Sequence, residues 1–118
     1  MRGESPELIV VVDASLKMPC GKVAAQCVHA SLAVLRESKK TQVIRKWRDE
    51  GEPVIVLFAQ DAEEMEDVFM MAREKALPCA MVRDAGRTCV REGTVTCIGI
   101  GPFARNLLDL SFLSSRGV

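Results

Sequence analysis

The chain has 118 residues, 48% of them hydrophobic, and its 16 basic and 16 acidic side chains give a formal net charge of zero. This length suits one compact domain with a buried core, and the neutral balance argues against a general nucleic-acid-binding protein. The sequence contains no uninterrupted run of about 18 apolar residues and therefore predicts no membrane span. Residues 1–7 also lack the apolar segment of a signal peptide. We expect a single domain over residues 1–118, with loose termini at 1–7 and 114–118.

The first half of the chain predicts a strand, two helices and a second strand. Residues 8–12 form a continuous β-branched apolar run, which is typical of a strand buried on both faces. A loop over 13–21 leads to a helix over 22–38. A shorter helix over 42–50 ends at a glycine with a proline just beyond, and residues 54–58 form a second buried strand.

The second half predicts one more helix and two strands joined without a helix. Asp61 is placed to cap a helix that continues to Ala76, and residues 79–82 and 95–100 read as strands. We also expect a short helix over 103–110. The α/β alternation predicts a three-layer α/β/α sandwich around a small four-stranded mixed sheet, whose last two strands are antiparallel neighbours.

Charged side chains are distributed unevenly. Acidic residues collect between 61 and 67, whereas a basic segment covers residues 36–48 and a second basic group surrounds the loop over 83–93. Such a molecule can present one positive face to a phosphate backbone while remaining neutral overall. The alternative is an ordinary solvated surface. The basic side chains are Arg36, Lys39, Lys40, Arg45, Lys46, Arg48, Arg83, Arg87 and Arg91.

Two segments follow strands and carry polar side chains, and ligands of open α/β sheets bind at such strand ends. In the first, Gln26 lies about 40° and His29 about 20° around the helix from Lys22, which makes a narrow polar stripe. In the second, Asp84 and Gly86 form a polar turn, and Gly86 permits a left-handed bend. A solvated helix face and a turn that only holds the loop are the structural alternatives.

Several separated motifs occur in one order, and together they resemble the type II peptidyl-tRNA hydrolases of archaea and eukaryotes. The similarity covers about residues 8–109. The motifs are Gly21-Lys22-Val23-Ala24-Ala25-Gln26-Cys27-Val28-His29-Ala30, Asp84-Ala85-Gly86-Arg87-Thr88, Gly93-Thr94 and Gly99-Ile100-Gly101-Pro102.

The resemblance implies hydrolysis of the ester between a peptide and the terminal ribose of tRNA. It maps the site to Lys22, Asp84, Thr88 and Thr96. Lys22, beside a helix N-terminus, suits a tRNA phosphate or the oxyanion, and Asp84 suits the role of positioning or deprotonating water, or of orienting Lys22. Thr88 and Thr96 supply hydroxyl donors or are structural, and His29 either acts directly or lies on the surface.

The remaining predictions for the site concern the residues that contact the substrate and the absence of a cofactor. Substrate contacts are expected at Gln26, Gly86, Arg87, Thr96 and Arg83. One histidine and scattered carboxylates make a poor metal set, and no nucleotide-binding motif or Gly-x-Ser-x-Gly elbow occurs. We therefore expect direct attack by water without a metal or cofactor.

Four positions depart from the family pattern. Asp13 stands where an arginine is usual, Cys20 and Val54 where lysines are usual, and Cys89 where a glutamine is usual. These departures remove positive charge or hydrogen-bonding capacity and leave a second hypothesis open, a non-catalytic family member that binds protein or RNA.

The cysteines bear on the redox compartment, and the C-terminal apolar residues bear on assembly. Five scattered cysteines without Cys-x-x-Cys spacing argue against a disulfide framework and favour the reducing cytoplasm, and Cys20 and Cys89 are candidates for a thiol-based role. The resemblance also suggests a homodimer. Apolar residues near the C-terminus either supply its interface or complete the core, namely Phe103, Leu107, Leu108, Leu110, Phe112 and Leu113.

Overall fold

The structure, a computed structural model, describes residues 5–86 and 91–115. In chain order the elements are β1 (Pro6–Asp13), a 3₁₀ turn (Ala14–Leu16), α1 (Cys20–Glu37), α2 (Thr41–Asp49), β2 (Val54–Ala59), α3 (Ala62–Glu74), β3 (Cys79–Arg83), β4 (Val95–Ala104) and a second 3₁₀ turn (Arg105–Leu107). Each predicted strand and each of the three longer predicted helices is present.

The strands form one mixed sheet in the order β2-β1-β4-β3. β1 pairs with β2 in parallel and with β4 in antiparallel orientation, and β3 pairs with β4 in antiparallel orientation, as predicted for the last two strands. Because β1 and β3 both run against β4, their carboxyl ends lie at the same end of the sheet. The loops that follow these two strands therefore lie at that end together.

Helices cover both faces of the sheet. One buried cluster includes Ala30 and Val34 of α1 and Trp47 of α2 against Val10 and Cys97 of the sheet. A second cluster on the other face joins α3 and the C-terminal segment to the alternate residues of the strands. The β1 residues from Leu8 to Val12 are at most 1% exposed, as expected for a strand covered on both sides. The predicted α/β/α sandwich is confirmed.

One glycine sets the distance between α1 and the sheet. A Cβ atom on Gly99 of β4 would lie 2.7 Å from the backbone oxygen of Ala30. Only a residue without a side chain allows α1 to pack this closely on β4. The position of α1, and of the polar residues near its N-terminus, depends on this contact.

The structure corrects the predicted chain ends. The helix expected over 103–110 is wrong, because Phe103 and Ala104 continue β4 and pair with Glu7 and Pro6 of β1, which leaves only the short 3₁₀ turn. Residues 6 and 7, expected in a loose terminus, thus belong to β1. Ser114 also exchanges two backbone hydrogen bonds with Phe58 of β2.

The C-terminal apolar residues divide between core and surface. Phe103, Leu108, Leu110 and Leu113 are at most 8% exposed and complete the core. Leu107 and Phe112 remain exposed. Within residues 5–86 and 91–115, none of the helices combines the length and the apolar character that a membrane span requires.

Candidate active site

The structure brings Lys22 and Asp84 together at the shared end of β1 and β3. Lys22 lies in the first turn of α1, and Asp84 is the first residue after β3. The Lys22 Nζ donates a hydrogen bond to Asp84 Oδ1 and forms an ion pair with it. The lysine side chain is 12% exposed and the aspartate side chain 1%, so the pair lies at the boundary between protein and solvent.

Backbone hydrogen bonds hold Asp84 in place. The Gly86 N–H donates to Asp84 Oδ2 at 2.7 Å, so the carboxylate also caps its own turn. The Asp84 N–H donates to Thr94 O at 2.8 Å, and the Asp84 carbonyl accepts from Gly93 N at 2.9 Å. These bonds close the base of the loop between β3 and β4. The carboxylate is therefore oriented before any ligand binds.

Gly86 has the left-handed backbone that the sequence predicts, with φ of +79°. A Cβ atom at this position would lie 2.8 Å from Glu92 Cβ, so a larger residue would also collide with the returning side of the loop. Arg83 is exposed, and its Nη1 donates to Gly93 O at 3.1 Å. Arg87, Thr88 and Cys89, which the sequence places in this loop, lie outside the described residues.

Gln26 and Thr96 form a buried tie between α1 and β4. Gln26 Nε2 donates to Thr96 Oγ1 at 2.5 Å, and the Thr96 hydroxyl is 3.4 Å from its acceptor, Val82 O. Gln26 is 4% and Thr96 0% exposed. Gln26 was expected on a polar stripe open to a ligand; it does line the groove described below, but it is buried and its Nε2 is bonded to the sheet. Both residues therefore support the floor of the site.

An open groove of about 1080 Å³ lies along α1 and the end of β3. Lys22, Gln26 and His29 all line it, as the stripe predicts, and His29 is exposed. Between them, the small residues Ala25 and Ala33 leave room for a ligand to approach the helix. Arg36 and Met81 are among the lining residues that the sequence analysis did not assign to the site. The signal for Arg36 was its spacing of seven residues from His29, which repeats the helical stripe.

The charged groups at this end suit chemistry on an anionic ligand or an ester. An ammonium group can hold a phosphate or a developing oxyanion, and a carboxylate can accept a proton from water. Among residues 5–86 and 91–115, no group of three or more His, Cys, Asp or Glu side chains is placed to hold a metal ion. Lys22 and Asp84 are the candidate reactive groups of this site.

The basic segment and the acidic segment of the sequence lie on opposite faces of the sheet. α1 and α2 pack on one face, and the basic side chains of residues 36–48 are all exposed there. The acidic residues of 61–67 lie at the start of α3 on the other face. The basic face continues from the groove through Arg36, which lines it.

The three described departures from the family pattern lie in different places. Asp13 is buried and accepts hydrogen bonds from Ser15 N at 2.9 Å and from Ser15 Oγ at 2.6 Å, so it caps the turn after β1. Cys20 is exposed at the start of α1. Val54 begins β2, at the opposite edge and the opposite end of the sheet from Asp84. The departure at Val54 therefore does not change the charge of the groove.

The thiols of Cys27, Cys79 and Cys97 are poor candidates for reactivity. Burial raises the pKa of the Cys97 thiol to about 12, although its hydrogen bond with Thr96 acts in the opposite direction. Burial also raises the pKa of Cys27 and of Cys79. A thiol with a raised pKa carries little of the nucleophilic thiolate at neutral pH. These three cysteines are therefore structural residues.

Comparison with known proteins gives one consistent result. The family model described as peptidyl-tRNA hydrolase PTH2 matches residues 7–113. A peptidyl-tRNA hydrolase from Methanopyrus kandleri is 42% identical over 102 residues, which cover 86% of this chain and 88% of that protein. The mouse protein named peptidyl-tRNA hydrolase 2, mitochondrial, is 38% identical over 111 residues, which cover 91% of this chain. The matched region spans about three fifths of the mouse protein, 61% of its length.

Proposed function

Because the chain belongs to the peptidyl-tRNA hydrolase PTH2 family, we propose that it hydrolyses the ester bond between a peptide and the terminal ribose of tRNA. The observation that carries this proposal is the Lys22–Asp84 ion pair, which lies at the end of a groove with both side chains held by the fold. In the cell, this reaction recycles tRNA from peptides that ribosomes release prematurely.

The proposed reaction is direct attack by water on the ester carbonyl carbon. Asp84 orients the water and accepts its proton as the new carbon–oxygen bond forms. The Lys22 ammonium stabilises the negative charge that develops on the carbonyl oxygen. The bond to the ribose oxygen then breaks, and the proton held by Asp84 passes to that oxygen. The products are a free peptide acid and tRNA with an intact terminal ribose.

Other groove residues serve binding in this proposal. His29 and Arg83 are exposed beside the reactive pair and can contact the acceptor end of tRNA. Thr88 and Arg87 remain proposed contributors on the strength of the family resemblance. Gln26, Gly86 and Thr96 act mainly by positioning α1 and the loop, as their hydrogen bonds and packing indicate.

The basic face of α1 and α2 is the proposed contact surface for the tRNA backbone. Contacts between lysine or arginine and phosphate do not depend on base sequence. Aromatic side chains make up only 4% of the chain, so base stacking contributes little. This combination suits an enzyme that accepts many tRNAs.

The test is release of peptide from an N-blocked aminoacyl-tRNA by the parent protein and by Lys22→Ala and Asp84→Ala variants. Asp67→Ala, which removes an exposed carboxylate on α3, is the matched control. We expect the rate to fall at least about a hundredfold in both site variants and to stay unchanged in the control. No release by the folded parent, with tRNA binding intact, would instead favour the non-catalytic binding module.

We also propose that the protein acts in the cytoplasm and forms a homodimer. The described cysteines are free, which suits a reducing compartment. Of the C-terminal residues expected at a dimer interface, Leu107 and Phe112 remain available on the surface. Sedimentation that shows only monomer at micromolar concentration would contradict the dimer.

A further inference from the structure

The edge strand β3 presents backbone groups that the sheet does not use. The Gly101 N–H donates to Pro78 O at 2.9 Å, which makes these two residues a hydrogen-bonded pair of the antiparallel ladder. Such pairs alternate along the strands, so Ala80 and Val82 also bond to β4. The backbone N–H and C=O groups of Cys79 and Met81 therefore point away from the sheet. In the sheet formed by the described residues, β3 is an edge strand.

This edge lies at the bottom of a cleft that begins at the proposed active site. The groove that holds Lys22 and Asp84 continues along β3 into a second hollow of about 670 Å³, and the two share Ala33, Arg36 and Met81. Residues of α1 form one wall of the second hollow.

The opposite wall of that hollow belongs to α3. Phe69 and Arg73 line it, and the Arg73 guanidinium lies 5.9 Å from the centroid of the Phe69 ring. The cleft thus exposes the β3 edge between two helices.

We propose that the peptide part of the substrate binds in this cleft as an extended strand paired with β3. The inference rests on the proposed function, because the ester carbon must lie beside Lys22 and Asp84. The peptide joined to that carbon then extends along β3 toward Cys79. Its chain runs in the same direction as β3, since both approach Asp84 with their carboxyl ends.

The pairing does not depend on the side chains of the peptide. In a parallel ladder, the Met81 N–H donates to one peptide carbonyl and the Met81 C=O accepts from the N–H two residues further on. These bonds use only the backbone of the substrate. β3 has five residues, which corresponds to about 17 Å and to three or four substrate residues.

The first experiment compares two substrates on one enzyme. The substrates are tRNA that carries N-acetyl-tetra-alanine and tRNA that carries N-acetyl-alanine, and the readout is the ratio of their kcat/KM values. We expect the parent to favour the longer peptide by about tenfold, the effect of one or two net hydrogen bonds. In Met81→Pro, which removes an outward donor without removing a ladder bond, this ratio falls to about one.

Two matched variants control for side-chain loss and for proline. Met81→Ala removes the side chain but keeps the N–H, so the ratio stays near the parental value. Val56→Pro places proline on the other edge strand, where the bonds of Leu8 to Pro53 and of Phe58 to Ser114 show that the Val56 N–H points outward. The peptide does not reach β2, and the ratio is again unchanged.

The second experiment leaves the protein intact. Single N-methyl groups are placed in turn on each amide of the tetrapeptide. Because alternate N–H groups of a strand face its partner, we expect kcat/KM to fall at every second position and to change little between them. A ratio that is the same in the parent and in Met81→Pro, or an N-methyl scan without alternation, would overturn the proposal.

Two further outcomes are distinguishable. If the folded parent releases neither peptide, the proposed function itself fails, and the inference fails with it. If Met81→Pro abolishes a dimer of the parent in sedimentation and leaves the substrate ratio unchanged, a second copy of the chain covers the β3 edge, and the proposal is wrong.

Discussion

Replacing Lys22 by methionine should cost stability as well as activity. Methionine keeps the length and much of the apolar stem of lysine but removes the ammonium group. The Asp84 side chain, 1% exposed, then loses its ion pair with Lys22. Loss of an ion pair from a buried carboxylate that keeps its charge is unfavourable for the folded state.

The structure sets the size of this effect. Breaking a fully buried ion pair costs about 3–5 kcal/mol, and the 12% exposure of Lys22 places this pair near 3 kcal/mol. In the double variant, Asp84→Asn also removes the negative charge of the carboxylate, and the asparagine amide oxygen can still accept the hydrogen bond from Gly86 N. We expect Lys22→Met/Asp84→Asn to lie within about 1 kcal/mol of the parent, so the second substitution recovers about 2 kcal/mol of the stability that Lys22→Met loses.

The assays are urea unfolding and single-turnover peptide release on all four proteins. Stability should return in the double variant, whereas activity should remain lost in all three variants, because the proposed reaction needs both charges. The reasoning is refuted if the double variant is as unstable as Lys22→Met. It is also refuted if Lys22→Met keeps both its stability and its activity.

Two further predictions concern packing and pH. Gly99→Ala should destabilise the fold by about 1–3 kcal/mol in urea unfolding and slow peptide release, because the added methyl group displaces α1 at Ala30 O. The control is Gly21→Ala, whose methyl group meets no atom within 4 Å and should not destabilise the fold. Equal stability of the two variants would contradict this prediction. The Cys97 pKa rises from 9.0 to about 12 on folding, so its thiol ionises first in the unfolded chain and stability falls as pH rises from about 9 toward 12. By pH 10, the free energy of unfolding of the parent should fall by about 1.4 kcal/mol more than that of Cys97→Ala. If the unfolding free energies of the two proteins depend on pH in parallel, the raised pKa of Cys97 is contradicted.

The sequence predicted those elements whose pattern is local. The apolar run in β1 and the cap at Asp61 lie within a few residues, and the observed elements begin within two residues of the predicted ones. The meeting of the two polar segments was also predictable, because the carboxyl ends of β1 and β3 share one end of the sheet.

Long-range pairing explains what the sequence analysis missed. The residues at 103 and 104 carry no local sign of strand, and they extend β4 only because Glu7 and Pro6 lie opposite them. Gln26 looks like a surface residue until Thr96, 70 positions later, supplies its hydrogen-bond partner. A helical wheel gives the angle of Gln26 but not the identity of the strand beneath it.

The opposite charges of the two faces give this electrically neutral protein a dipole. In the field of a polyanion such as tRNA, a molecule without net charge feels little overall attraction at long range, but it does experience a torque. That torque turns the α1–α2 side toward the phosphates and the α3 side away from them. The same separation of charge disfavours encounters through the acidic side, so orientation is selected before contact is made.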